Sequence, residues 1–339
     1  MYQIDRTYGP SLCILADGVM TDRHRIPSLA DAAAVVRRYL ATTPQYISRF
    51  PTGLSHYVYD VRTMDGLQVV VRMGRPNQWQ DIEAAVRWHE LLVPRGVPLP
   101  ALLAHSHPDD GGSFPFMLME RLPGCDLGDE YPALSIRQKQ ALARRMAEIQ
   151  HAVAEMPPAD GYGFARSYHD PTLHASWSEV VYGDLARSRA RIEMAQVVSP
   201  TVVDRVEHVL AGYSRYFDSI APRAFLDDTT TKNVLIHDGH LSGIVDVDWV
   251  CFGDPLFTLG LTLMALLELR YDTDYIEYWT DALELDEEQR AIVRLYAAVF
   301  CVNFLGEIGQ QFNRETPIPA DPGAIAHLET TLNDLLKLL

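Results

Sequence analysis

The sequence predicts an α+β chain in two lobes, a small sheet-rich one followed by a larger helical one, and three observations lead there. Two β-rich runs flank an Asp-Gly turn between residues 57 and 73, long stretches of helical periodicity fill the chain beyond about residue 122, and one strand-rich segment interrupts that helical half. With 339 residues, 47% of them hydrophobic, the chain can bury a substantial core in each of two modest units.

Residues 27–41, PSLADAAAVVRRYLA, place apolar side chains at helical spacing behind a Pro-Ser start and predict an amphipathic helix. With the segment before it, read as an N-terminal extension, this helix makes up residues 1–42. YVYDV and LQVVVRM flank Met64-Asp65-Gly66 and predict an antiparallel hairpin, since Asp-Gly adopts the backbone angles of a tight turn. WQDIEAAVRWHELL, residues 79–92, returns to helical periodicity; the proline-bounded VPLPALLAH and then FPFMLMERLPG supply further strands, completing a predicted lobe over residues 43–122. Residues 135–156, 174–194 and 200–219 predict long helices within a second lobe, residues 123–339. Inside it, His237-Asp238-Gly239-His240 joins NVLI to HLSGIV as a tight hairpin. Asp254-Pro255 then gives a side-chain cap and a proline preset for the first turn of the apolar helix LFTLGLTLMALLEL.

Composition excludes several functions. A net charge of −16 argues against nucleic-acid binding, which rests on Lys and Arg displacing counterions, and favours neutral or cationic partners. No uninterrupted apolar run of about 18 residues occurs and Met1 to Arg6 do not open a signal peptide, so no membrane association is expected and the location expected is cytoplasmic, as a monomer or homodimer. Cys13, Cys125, Cys251 and Cys301 are far apart and form no CxxC, which signals neither a disulfide framework nor a thiolate zinc site.

The chemistry gathers in one stretch. Asp228 and Asn233 are separated by four residues, a hairpin follows, and its second strand runs into Asp246-Val-Asp248 and then Gly253-Asp254-Pro255. Phosphoryl transfer needs a carboxylate that orients the attacking hydroxyl and takes its proton, plus oxygen ligands for a metal ion on the nucleotide phosphates. A loop bearing both Asp and Asn, backed by a hairpin that ends in Asp, delivers those groups to one place, and the spacing is that of a kinase catalytic loop.

Here the chain resembles the aminoglycoside phosphotransferase and choline kinase superfamily, in which a motif like HGD-x4-N precedes a strand pair and a segment like IDW-x6-GDP; the corresponding stretches are FLDDTTTKNVLI and GIVDVDWVCFGDP. The resemblance implies a bilobal protein-kinase-like fold in which residues 43–122 bind ATP or GTP and a hydroxyl of a small molecule, with a cationic, aminoglycoside-like acceptor favoured, is phosphorylated. It implies that Asp228 is the catalytic base, that Asn233 and Asp246 hold Mg²⁺, and that Asp254 caps a helix. Asp248 is either an auxiliary metal group or a salt-bridge partner. Gly53 and Ser55 fall in the loop that covers the nucleotide, Arg72 at the basic position facing the phosphates, and Glu83 at the glutamate that pairs with it. Met119, Glu120 and Arg121 fall in the hinge whose backbone holds the purine.

The chain departs from the family pattern in three places. Leu226 and Asp227 replace the usual His and Gly, so the catalytic loop must be braced otherwise; Arg72 replaces a lysine; and the covering loop has the single glycine Gly53. A catalytically inactive nucleotide-binding regulator, or a kinase of a metabolite such as a choline-like amine or sugar, are the alternatives. The pairs His105 and His107, and His237 and His240, read as turn residues; Thr229 to Thr231 as local backbone partners; Lys232 and the acidic stretch Asp272 to Glu288 as solvated surface; and Trp79 and Trp88 as packing.

Overall fold

In the computed structural model, which describes residues 25–50, 56–107, 114–312 and 316–339, helix α1 (Leu29–Leu40) starts at a capping box. Ser28 Oγ accepts from the amide of Asp31, whose carboxylate accepts in turn from the amide of Ser28 at 2.9 Å. Strands β1 (Pro44–Arg49), β2 (Tyr57–Thr63) and β3 (Gln68–Met73) follow, the last two joined by the expected turn, with Gly66 at φ 86°. Strand β1, with its irregular alternation, went unmarked in the sequence. After α2 (Trp79–Leu92), strands β4 (Leu102–His105) and β5 (Phe116–Glu120) complete an antiparallel sheet in the order β1-β2-β3-β5-β4.

The sheet is covered on both faces. Tyr57, Tyr59 and Val61, with Val69, Val71, Phe116 and Leu118, bury one face against Ala32, Val35 and Val36 of α1. On the other, Ile82, Ala85 and Val86 of α2 pack against Met117. Period-two alternation in the strands meets period-3.6 stripes on the helices, as the sequence patterns require.

The second half opens with β6 (Cys125–Asp126), α3 (Leu127–Glu130), α4 (Ile136–Ala154), β7 (Gly163–Ala165) and α5 (Trp177–Ala195). The helix expected over 200–219 divides into α6 (Thr201–Leu210) and α7 (Ser214–Ser219), with a tighter turn of helix through Gly212 between them. The strand-rich interruption comprises β8 (Arg223–Phe225), β9 (Val234–His237), β10 (His240–Ile244) and β11 (Val250–Gly253), shared between two small sheets, β10-β9-β6 and β7-β11-β8. Helices α8 (Leu256–Glu268), α9 (Asp274–Ala282), α10 (Glu287–Glu307) and α11 (Pro322–Lys337) complete the chain. Among the described residues no helix is long and apolar enough to cross a membrane.

Helix α8 is buried on every side from Leu256 to Leu266 and α10 from Leu295 to Glu307, so these two form the spine of the helical core. They touch at Gly260, where an added Cβ would lie 2.3 Å from Cβ of Tyr296 and 3.0 Å from the amide nitrogen of Ala297. The expected cost of Gly260→Ala is about 1 to 2 kcal/mol, an overpacking penalty of about 1–3 kcal/mol offset by up to about 1 kcal/mol of helix propensity. Urea denaturation should show a lower midpoint at unchanged m-value, whereas an unchanged midpoint would mean that the two helices separate freely at this point.

Candidate active site

The β9–β10 hairpin sets the geometry of the site. Asp238 and Gly239 have φ of 51° and 75°, the two positive angles of a type I′ turn, and this turn pairs His237 with His240. The register shifts by one residue at a bulge between Leu241 and Gly243, and the shifted pairing runs to the open end, where the amide of Val245 donates to the carbonyl of Asn233 at 2.8 Å. Asn233 and Asp246 are thereby neighbours on adjacent chain segments. Asp246 itself has φ 62°, a left-handed conformation uncommon outside glycine and concentrated at functional positions.

The loop between β8 and β9 is held from below by Gln150 of α4. Its buried amide accepts from the N–H of Leu226 at 3.0 Å and donates to the carbonyl of the same residue at 2.7 Å, which supplies the brace that Leu226 cannot. Thr229 Oγ1 shares a hydrogen bond with Thr258 at 3.0 Å, and the amide of Gly128 donates to the carbonyl of Thr231 at 2.7 Å. Thr230 Oγ1 donates to the carboxylate of Asp228 at 2.9 Å, and Asn233 Nδ2 donates to the carbonyl of Asp228 at 3.1 Å. The threonines thus bond mainly within the protein, as expected, and one of them orients Asp228.

Arg72, on β3, is almost fully buried and reaches across the cleft between the lobes. Its Nη2 lies 2.9 Å from Asp246 Oδ1 and 2.8 Å from His56 Nδ1, and donates to Asp248. Burial opposes the guanidinium charge, but Asp248 and Asp246 more than offset it and hold the pKa above its usual value. Burial, with Arg72 beside it, pushes the pKa of His56 down to about 3, so its ring is neutral.

Glu83 does not pair with Arg72. Its carboxylate is 61% exposed and stands 3.6 Å from Arg87 one turn along α2. The inward stripe of α2 is set by Ile82, Ala85 and Val86, which turns position 83 outward; the partners of Arg72 come instead from the segment 246–248. Asp81, on the same helix, does line the cleft, and burial followed by the nearby Asp248 raises its carboxyl pKa. Gly53 and Ser55 lie outside the described residues.

The cleft holds a cavity of about 430 Å³, within the usual range for small-molecule sites. Val58, Val70 and Met119 give it an apolar wall, with Arg72, Asp246 and Asp248 at one end. Met119, Glu120 and Arg121 all line it, but the amides of Glu120 and Arg121 donate to the carbonyls of Ala101 and Gln68 at 3.0 and 3.2 Å. A purine along this strand would therefore meet carbonyls and side chains rather than those two donors. A second, smaller cavity lies beside Tyr271 and Glu268. Asp126, Asp129, Asp228, Lys232 and Asn233 line both, so Asp228 stands where the two spaces meet.

Other candidates have structural roles. Asp254 Oδ1 accepts from the amide of Leu256 at 3.0 Å, capping α8 as expected, and its Oδ2 accepts from Tyr216 and Tyr296 at 2.8 and 2.7 Å. In the acidic stretch, Asp272 pairs with Lys139 at 2.7 Å and Asp281 with Arg290 at 2.7 Å. Asn233 and Asp246 offer oxygen ligands, but among the described residues no three His, Cys, Asp or Glu side chains gather as a closed metal cage. Gln150 and Asp81 had no local signal in the sequence, since their partners are distant in the chain, whereas His56 closes the stretch from Gly53 that the resemblance placed at the nucleotide-covering loop.

A sheet-rich lobe set on a helical one, with carboxylates and an asparagine gathered in the cleft between them, is the architecture of a small-molecule phosphotransferase. The chain belongs to the phosphotransferase enzyme family, whose model matches residues 47–296. Among solved structures it is similar to a thermostable mutant of the aminoglycoside phosphotransferase APH(4)-Ia in complex with AMP-PNP and hygromycin B. That match has 14% identity and a TM-score of 0.62, and covers 91% of this chain and 98% of that one. A protein from Thermobifida fusca YX-ER1 described as a fructosamine-3-kinase matches with 17% identity, a TM-score of 0.58 and coverage of 92% and 99%. A GDP complex of an aminoglycoside 2′-phosphotransferase IIIa mutant matches with 16% identity, a TM-score of 0.61 and coverage of 91% and 95%. These likenesses establish a kinase-like fold. No curated protein matches the sequence significantly.

The site generates two predictions. Gln150→Ala leaves the buried N–H and C=O of Leu226 without the partners Gln150 gives them and is expected to cost about 2 to 6 kcal/mol in chemical denaturation, at about 1–3 kcal/mol per group; no loss would show that the loop holds itself. Burial and then Asp129 raise the pKa of Asp126 from 3.8 to about 6, so ionising it is harder in the folded chain than in the unfolded one. The resulting penalty is absent below about pH 4 and complete above about pH 6. Asp126→Asn should therefore melt higher than the parent chain at pH 8, with the gain vanishing by about pH 4; a gain independent of pH would contradict this.

Proposed function

We propose that this phosphotransferase moves the γ-phosphoryl group of ATP or GTP to a hydroxyl of a small, cationic, aminoglycoside-like molecule. The observation that carries the reading is the position of Asp228 at the junction of two cavities, one reaching Arg72 and Asp246 and the other opening past Asp129 and Glu268. A nucleotide in the larger space and an acceptor reaching one group into the smaller, which at about 70 Å³ holds only part of such a molecule, would bring the reacting groups together at that carboxylate.

Asp228 orients the acceptor hydroxyl and takes its proton as the bond to phosphorus forms, while the hydrogen bond from Thr230 fixes the carboxylate. Asn233 and Asp246 would hold Mg²⁺. The amide nitrogen of Asn233 is engaged by the carbonyl of Asp228, leaving its side-chain oxygen as the ligand. Seven carboxylates line the cleft, Asp81, Asp246 and Asp248 among them, against the cations Arg72, Arg121 and Lys232, and this excess of negative charge suits a divalent cation. When bound, the ion neutralises charge on the nucleotide phosphates. Arg72 is placed to add a fixed positive charge on the phosphate side.

The acceptor reading rests on charge. Asp126, Asp129 and Glu268 line the smaller cavity with Lys232 as the cation beside them. Amine groups on a polyhydroxylated acceptor would be drawn there and leave a hydroxyl near Asp228. The inactive-regulator alternative was motivated by the missing histidine at 226, and the brace from Gln150 removes that motive.

The test is release of ADP or GDP by purified protein with Mg-ATP or Mg-GTP, across a panel of aminoglycosides, choline-like amines and sugars. Acceptor-dependent turnover is expected, strongest with polyamines bearing hydroxyls, and Asp228→Ala should lower kcat by about 10² to 10⁴. Turnover that survives the substitution would remove Asp228 from the mechanism, and nucleotide binding without turnover on any acceptor would return the regulator reading.

A further inference from the structure

Four buried polar atoms on residues lining the larger cavity have no hydrogen-bond partner among the described residues: Nε2 of His56, Nε of Arg72, Oδ1 of Asp248 and Nε1 of Trp249. No role so far accounts for His56 or Trp249, and of these two His56 is the one hydrogen-bonded to Arg72. It stands at the entry to β2, is 5% exposed, and lines the cavity beside Val58, Arg72 and Asp246.

The hydrogen-bond chemistry of the ring is fixed by its neighbour. Arg72 Nη2 lies 2.8 Å from His56 Nδ1, and a guanidinium nitrogen can only donate, so Nδ1 is the acceptor. A neutral imidazole then carries its hydrogen on Nε2. His56 consequently carries an N–H donor of fixed direction at the Arg72 end of the cavity, and a buried donor of this kind calls for an acceptor. Asp248 does not supply one, because its Oδ2 lies 3.5 Å from Nδ1, on the Arg72 side of the ring, and is already bonded to Arg72. With no acceptor for Nε2 among the described residues, a ligand in the cavity is left to supply one, and beside a guanidinium the matching chemistry is an anionic oxygen.

We propose that His56 is a nucleotide-binding residue, donating from Nε2 to a phosphate oxygen, and that through Nδ1 it positions Arg72 for the same polyphosphate. The assignment rests on the reading of the cavity as a nucleotide site and adds a side chain to it. It also gives His56 two distinct duties, of which only the first depends on phosphate.

Calorimetric titration of the full chain and of His56→Phe with Mg·AMP-PNP and with adenosine tests this. Phe keeps the ring shape and loses the donor. Loss of one hydrogen bond to a charged group should weaken Mg·AMP-PNP by about 10- to 100-fold, with adenosine affinity unchanged and part of the loss recovered in His56→Gln. Equal weakening of both ligands would mean that His56 merely shapes the lobe, and unchanged affinity for Mg·AMP-PNP would remove it from the site; either result overturns the proposal. Binding of neither ligand by the parent chain would instead overturn the nucleotide reading on which the proposal rests. Should His56→Phe not fold, ¹⁵N-histidine NMR of the parent chain decides, with the His56 resonances identified by their loss in His56→Gln. The ring must be the Nε2–H tautomer, its Nε2 signal shifting with Mg·AMP-PNP but not with adenosine, and an Nδ1–H tautomer refutes the assignment.

Discussion

The guanidinium of Arg72 is the interaction around which the cleft is built. It leaves the small sheet and meets carboxylates 176 positions further along the chain at Asp248, with Asp246 beside it. Charges this deeply withdrawn from water are stable only in company, and removing one partner of such a pair typically costs about 3–5 kcal/mol because the remaining charge is stranded. Each end of the contact is positioned by local rules. Arg72 is opposite Val58 on β2 and Met117 on β5, so the register of three strands aims it. Asp246 and Asp248 follow a hairpin whose register is set by the Asp238-Gly239 turn and shifted by one residue at the bulge between Leu241 and Gly243. Two short-range preferences thus determine a long-range electrostatic contact.

What could be read in the sequence follows from the same division. The hairpin of β2 and β3, the stripe on α1, the turn at Asp238-Gly239 and the cap at Asp254 all depend on residues close in the chain, and periodicity and turn chemistry reveal them. Asp228, Asn233 and Asp246 were legible because their spacing carries the chemistry. Glu83 was misplaced because a motif position gives no helix rotation; the packing of Ile82 and Val86 against the sheet decides it. The brace from Gln150 was invisible because 76 residues separate it from the loop it supports, and a glutamine within a helix has no local signature. Strand β1 was missed because its burial does not alternate cleanly.

The loop that carries Asp228 shows how one function can pass to a different residue type. A side chain two positions ahead of the aspartate could brace the loop from within; here a buried amide on α4 holds the same backbone from outside, and Leu226 joins the hydrophobic core. The cost of burying an amide is offset because both its donor and its acceptor are used, on the C=O and the N–H of one residue. Asp228 remains partly exposed above a floor of buried threonines, a reactive group on a rigid support.

The choice of partners for Arg72 also bears on control. Helix α2 is fastened to the helical lobe by Trp88, whose indole donates to the carbonyl of Ala165 at 2.7 Å, and by Arg166, which donates to Gln80 at 3.1 Å. The ion pairs of Arg72 are made with the segment that follows the hairpin, not with this helix. Swinging α2 away from the sheet would therefore leave Arg72 paired with Asp246 and Asp248 while withdrawing the carboxylate of Asp81, a further charge that favours the guanidinium, from the cleft.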